Sequence, residues 1–381
     1  MKPFLRKFWL RATTLCLVLS PVFAGQLSVD TASPEGKQMA AIEHETDPAK
    51  KRAMLEEFAT NFSKQPISAW ADTQLQALDL QAQQYDKVIA AGQAALAVDP
   101  NNLEASYNNL KAAEAKGDID GIAKWSGDTS KIARGVEQSA SPSDSGAKAR
   151  IDYAKQVDTY TEYAVYAASL KTTDPKQIVT LVESLEQRNP QSPYLSQAYG
   201  RYLNALRQSG QADKAGEAAE RQLQRDPNSE DALLVAAGFN MQAKQDQKAA
   251  SYAGKLIQVM QSKPKPDGMS DADWDKKKAT TLGLAYWIDG VSSSNLHQYS
   301  DADKALRQAL PLVKDNQEVL GMCLFHLGLS DYQLGKSTKN RALIQQALKY
   351  SQQSAAIKSP LQTQAQNNVA AIRRALGGAA H

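Results

Sequence analysis

The stretch Gly210–Leu256, "GQADKAGEAAERQLQRDPNSEDALLVAAGFNMQAKQDQKAASYAGKL", decides the fold. Ala215 and Ala249 stand 34 residues apart, each is followed four residues on by another alanine (Ala219, Ala253), and Asp226-Pro227 falls between them. Alanine, glutamine, lysine and glutamate favour helix, and the small and apolar residues recur at helical spacing. Pro227 stops a helix and pushes the residue before it out of helical backbone, so the stretch reads as helix, turn, helix, turn. An alanine where two helices cross lets their backbones approach, and Leu223 or Leu256 on the same face fills the groove beside it.

The pattern recurs outward from there. "YDKVIAAGQAALAVDPNN" carries Tyr85, Ala95, Leu96 and Pro100, and "LEASYNNLKAAEAKGDIDGIAKW" has Gly117-Asp118 at the turn, with Ile122 departing from the small-residue place. "DPKQIVTLVESLEQRNPQSP" supplies Ile178, Val182, Leu185 and Pro190, and "YSDADKALRQAL" supplies Tyr299, Ala302, Leu306, Ala309 and Leu310. "FHLGLSDYQLGK" brings Leu327, Gly328, Tyr332 and Gly335, paired after an insertion with "RALIQQALKYSQQSAAIKSP". Between Asp47 and Leu376 there is helical periodicity and almost no strand alternation. These units resemble the tetratricopeptide repeat (TPR), a 34-residue helix–turn–helix with small residues at fixed places. The resemblance implies an all-α, TPR-like α-solenoid of about six to seven units, several of them degenerate, and is specific for fold rather than function.

Charge and leader belong together. Of 44 basic residues, Lys2, Arg6, Lys7 and Arg11 lie in the first 24, which hold none of the 41 acids, so the remainder carries a net charge of −1. That balance points to neither nucleic-acid binding nor attraction to anionic lipid. "MKPFLRKFWLR", the apolar "ATTLCLVLSPVF" and Val22-Phe23-Ala24 read as a signal peptide cleaved after Ala24. A bilayer span needs roughly 20 apolar residues, and this core is shorter, so no stable membrane insertion is expected after cleavage. The expected destination is the periplasm. Removing the leader leaves Cys323 as the sole cysteine, which excludes an intramolecular disulfide.

The chain divides into a leader (1–24), a disordered extension (25–45), an N-terminal set of TPR-like helices (46–137) and a Ser/Pro/Gly-rich connector, "QSASPSDSGA" (138–147). A C-terminal solenoid (148–376) with a loop at 260–276 and a short tail (377–381) complete it.

No constellation points to catalysis. In "DADWD", Asp271, Asp273 and Asp275 have the first spacings of a calcium loop, but Lys276 stands where glycine is needed and Leu282 where glutamate is needed. The same residues read as a helix cap, with Ser270 as N-cap. His44, His297, His326 and His381 lie apart from one another, and no phosphate-binding, zinc or nucleophile motif is present. No catalytic residue, cofactor or metal site is assigned.

One helix is unusual. "AKARIDYAKQVDTYTEYAVYAASL" holds Tyr153, Tyr160, Tyr163 and Tyr166, which suit either a binding surface or packing at the junction of the two helical blocks. In the family the first helix of each unit lines the concave face, which implies a groove of Tyr107, Lys111, Tyr160, Tyr163, Gln197, Arg201, Asn204, Leu234, Met241 and Gln242. Arg201 and Asn204 are expected one turn apart, beside Tyr163. The Lys/Asn arrangement with which some members hold a peptide's terminal carboxylate is not reproduced. The implied function is an exported, non-catalytic scaffold for a protein or peptide partner, with no role in nucleic-acid binding. The alternatives are a dedicated envelope-assembly, cell-wall or secretion component and, third, an enzyme or metal-dependent module.

Overall fold

The computed structural model describes residues 29–63, 65–139 and 146–377. The leader, residues 140–145 of the connector and residues 378–381 of the tail lie outside the described residues. Among the described residues are seventeen helices and no strand. They form two compact units. One comprises the chain up to Thr173 with Thr180–Tyr194; the other comprises Asp174–Val179 with the chain from Leu195 on.

The first unit holds α1 (Pro34–His44), α2 (Pro48–Asn61), α3 (Ser68–Gln81), α4 (Tyr85–Val98), α5 (Leu103–Lys116), α6 (Ile119–Ser139) and α7 (Ala147–Lys171). The division runs through α8 (Pro175–Arg188). The second unit holds α9 (Leu195–Gln208), α10 (Ala212–Arg225), α11 (Glu230–Gln242), α12 (Asp246–Ser262), α13 (Asp271–Asn295), α14 (Tyr299–Ala309), α15 (Gln317–Ser337), α16 (Arg341–Ala356) and α17 (Gln362–Gly377). Within each unit every helix packs on the next. Odd-numbered helices also touch the next odd one: α3–α5 and α5–α7 in the first unit, α9–α11, α11–α13, α13–α15 and α15–α17 in the second. No even-numbered pair does so among the described residues. This is an all-α solenoid in which the odd helices, from α3 on in the first unit, form one continuous layer in each unit.

The repeat is written in the backbone. Six helix pairs turn through a left-handed residue: Gln83, Gly117, Gly210, Lys244, His297 and Lys339, with φ between 52° and 73°. After each, the next amide donates to a carbonyl five residues back: Gln84 to Asp79, Asp118 to Ala113, Gln211 to Leu206, Gln245 to Asn240, Gln298 to Ser293 and Asn340 to Gly335, at 2.8–3.0 Å. These bonds satisfy carbonyls that the helix end would leave open. Gln83 and Gly117 are 34 residues apart, as are Gly210 and Lys244. Between α7 and α8 the chain instead passes through extended backbone at Thr172.

Alanine packing follows the expected register. Ala215 and Ala219 on α10, Ala249 and Ala253 on α12, and Ala302 and Ala309 on α14 are completely buried. At Gly216 the approach is tighter still, because a Cβ there would lie 2.2 Å from the Phe239 ring of α11. Ser270 caps α13 by accepting from the Asp273 amide at 3.1 Å. His326 and Cys323 are both buried; His326 Nδ1 meets Ser294 Oγ at 3.1 Å, and burial pushes its pKa down to about 4.

Three boundaries differ from the sequence reading. Residues 34–44, placed in a disordered extension, are α1: Ser33 accepts from the Gly36 amide at 3.0 Å, Pro34 opens the helix, and Ile42 buries against Leu55 and Phe58. The units do not divide at 138–147, since α6 and α7, on either side of that stretch, pack along each other in one unit. The loop before α13 is shorter than expected, spanning 263–270, and Glu230 binds both Lys263 and Lys277 across its ends.

Candidate partner-binding site

Small residues decide which way the α7 tyrosines face. Ala154, Val157, Thr161, Ala164, Val165 and Ala168 take the buried face of α7. Tyr160, Tyr163 and Tyr166 therefore fall beside that face or away from it. Tyr153 and Tyr107 of α5 are half-buried against Leu103, Ala133, Ala154 and Val157.

The rings form an unbroken row. Tyr107 meets Tyr160 edge-on at 5.6 Å, and Tyr160 meets Tyr163 at 6.0 Å. Tyr194 completes it, 6.0 Å from Tyr163 and stacked 5.3 Å from Tyr166. Each such aromatic contact contributes about 0.5–1.5 kcal/mol beyond its buried area. Lys111 Nζ lies 3.9 Å above the Tyr107 ring and donates to Asn108 Oδ1 at 3.3 Å.

Two carboxylates of α5 hold the hydroxyl ends. Tyr153 donates to Glu104 at 2.6 Å and Tyr160 to Glu114 at 2.9 Å. Burial, then the nearby Glu114 and Glu104 charges, push the Tyr107 phenol up to about 12. Burial and the accepting glutamates raise Tyr153 and Tyr160 as well. Tyr153 and Tyr160 therefore stay protonated and donate to the glutamates. Burial alone outweighs the phenol bond and the Lys171 and Lys111 charges at Glu114, whose pKa is raised. Burial lowers that of Lys111 against the pull of the same glutamates.

Tyr194 is placed by the turn after α8. Arg188 donates to the Ser126 carbonyl at 2.8 Å and to Thr161 Oγ1 at 3.1 Å, while Arg134 donates to the Arg188 carbonyl at 2.9 Å. Asn189 donates to the buried Glu162 at 2.8 Å. Arg134 is itself held by Asp158 at 2.9 Å. This network ties the turn to α6 and α7 and sets the Tyr194 ring against Tyr163 and Tyr166.

At its outer edge the row is open. Tyr163 is 45% exposed and Leu170, seven residues on along the same stripe, 43%. They are two of three large hydrophobic side chains exposed among the described residues.

The other groove candidates belong to the second unit. On α9, Leu195, Ala198, Tyr199, Tyr202, Leu203 and Leu206 are buried, which leaves Gln197, Arg201 and Asn204 on the exposed face at helical spacing. Gln197 and Arg201 have interactions of their own. Gln242 is exposed at the end of α11. Leu234 and Met241 are half-buried and fill space between helices, Leu234 with Leu233, Leu256 and Trp274, Met241 with Ala249 and Ile288. Of the ten groove candidates, Tyr107, Lys111, Tyr160 and Tyr163 come together in the first unit.

Sequence reasoning missed Tyr194, Glu104 and Glu114 as members of this site. Tyr194 follows Pro193 outside any helical period, and no local motif marks the two glutamates.

No family model and no curated protein matches the chain. Among solved structures it is similar to the TPR domain of P58(IPK), at 10% identity over 91% of this chain and 99% of that one, with a TM-score of 0.30. It is also similar to yeast Tom70, at 9% identity over 89% and 94% of the two chains, with a TM-score of 0.20.

Proposed function

We propose that this protein is an exported, non-catalytic scaffold that binds a protein or peptide partner along the odd-helix layer, with the tyrosine row of the first unit as its main contact surface. The observation that carries this reading is the row itself: five rings in contact, one of them, Tyr160, fixed at its phenol by Glu114, and an open edge at Tyr163 and Leu170. A ring held at its polar end presents apolar area at little further cost in side-chain entropy. A peptide laid across it covers that area, and its polar groups can meet the Tyr163 hydroxyl at the exposed edge. Gln197, Arg201 and Asn204 offer a second, polar contact surface in the other unit.

Export rests on the leader. Protein recovered from the periplasm should have the mass of a chain beginning at Gly25; full-length chain held in the membrane would make the leader an anchor. For binding, Tyr163→Ser with Leu170→Ser should leave melting close to wild type and lower capture of envelope proteins at least tenfold. Undiminished capture by the folded variant would move the contact surface away from the row.

A further inference from the structure

The net charge of −1 is an average over two very different parts of the chain. No aspartate or glutamate follows Asp331, while Lys336, Lys339, Arg341, Lys349, Lys358, Arg373 and Arg374 do, so residues 25–331 carry −8 and the rest +7. All seven cations are exposed, and none forms an ion pair among the described residues. An ordinary solvated face mixes both signs.

Five of the seven gather at one edge, where α15 ends, α16 begins and α17 ends. Arg341 donates to the Leu376 carbonyl at 3.3 Å, which fixes the start of α16 to the end of α17, next to Arg373 and Arg374. An open cavity of about 300 Å³ lies at this edge. Lys336, Lys339 and Arg341 line it together with Tyr332, Ile344 and Leu376, so cationic heads adjoin an apolar floor.

We propose that this edge of the second unit docks on a phospholipid surface with anionic headgroups. A headgroup phosphate would be met by Lys336, Lys339 and Arg341, with the apolar floor beside its glycerol and upper acyl carbons, while Arg373 and Arg374 add to the attraction of the surface. The mixed lining favours an amphiphile over nucleic acid, which wants open rings to stack on bases. Here the rings are engaged: Lys336 lies over Tyr332 at 5.5 Å, and the Tyr350 hydroxyl accepts from Arg307 at 3.0 Å. No helix among the described residues is long and apolar enough to cross a membrane, so the attachment is to the surface.

The test is flotation with vesicles of phosphatidylcholine alone and with about 30% phosphatidylglycerol. The chain begins at Gly25, so that the basic, apolar leader cannot anchor it; every described helix lies beyond that point. Binding should require the anionic lipid and be largely lost in about 0.5 M salt, where screening acts within a few ångströms. Each cation near an anionic surface contributes about fivefold, so Lys336→Gln, Lys339→Gln and Arg341→Gln together should weaken binding roughly a hundredfold. A circular-dichroism melt shows that the triple variant is folded, and Lys50→Gln, on α2, should bind as wild type. Equal binding to neutral vesicles, full binding by the folded triple variant, or tighter binding to an RNA or DNA oligonucleotide than to the anionic vesicles would overturn the proposal.

Discussion

Tyrosines sit on odd helices of both units and do opposite things there. On α9, Tyr199 and Tyr202 are 1% and 2% exposed and meet edge-on at 5.4 Å, with Arg225 donating to the Tyr199 hydroxyl at 3.0 Å. On α7, the rings of Tyr160, Tyr163 and Tyr166 run out to a solvent-facing edge. The difference lies in the neighbours. Tyr199 and Tyr202 share the buried face of α9 with Leu195, Ala198 and Leu206, whereas alanines, valines and a threonine take that face on α7. A place in the repeat therefore gives a residue an orientation only; whether it packs or contacts a partner depends on which other side chains take up the packing.

The largest expected effect is on packing in the second unit. Ala249→Leu should overpack the crossing of α12 with its neighbours and cost about 1–3 kcal/mol in a thermal or denaturant melt. Gln245→Ala, in the exposed turn before α12, should melt close to wild type. If Ala249→Leu were as stable as wild type, alanine would not set the helix spacing of this unit.

Next comes the anchoring of the rings. Tyr160→Phe leaves the desolvated Glu114 without its phenol donor and should destabilise by about 1–2 kcal/mol. Tyr199→Phe takes an acceptor from an arginine that water still reaches, and should cost about 0.5–1 kcal/mol. Equal losses would remove the distinction between an anchored row and an ordinary core pair.

A smaller effect should be common to both units. Burial raises Asp72 of the first unit and Asp289 of the second to about 6, the latter with help from Asp301. Because the folded pKa lies above the unfolded one, each carboxylate destabilises the fold when ionised. That penalty is fully present above about pH 6 and disappears as pH falls through the folded pKa toward 4. Asp72→Asn and Asp289→Asn should each gain about 1 kcal/mol at pH 7.5, after allowing for solvent screening, and nothing near pH 4. A pH-independent gain would assign it to packing instead of charge. The smallest effect is expected at the exposed face of α9, where Arg201→Ala with Asn204→Ala should change stability by less than about 0.5 kcal/mol.

The fold was largely legible because its cues are local and repeat: an alanine pair, a turn, a proline, 34 residues on. Even so, four of the six left-handed turn residues are not glycine, so those turns could be read only from their neighbours. α1 was missed because a short polar segment gains its stability from distant Leu55 and Phe58, which no local pattern records. Leu234 and Met241 fall in the groove by register, and both are half-buried, packed against the clusters around Leu256 and Ala249, which register alone does not record. Tyr194 reaches the row through the Arg188 and Asn189 bonds across 27 or more residues, a tertiary cause with no trace in periodicity. The basic end is hidden in the net charge, which sums over the whole chain and says nothing of where the charges lie.

The most direct measurement of the central claim is a calorimetric titration of a captured partner against three proteins: wild type, Tyr163→Ser with Leu170→Ser, and Arg201→Ala with Asn204→Ala. With the tyrosine row as the main contact surface, the first variant should lose at least tenfold in affinity and the second no more than a few-fold, both melting like wild type. The reverse order, or wild-type affinity in the first variant, would contradict it.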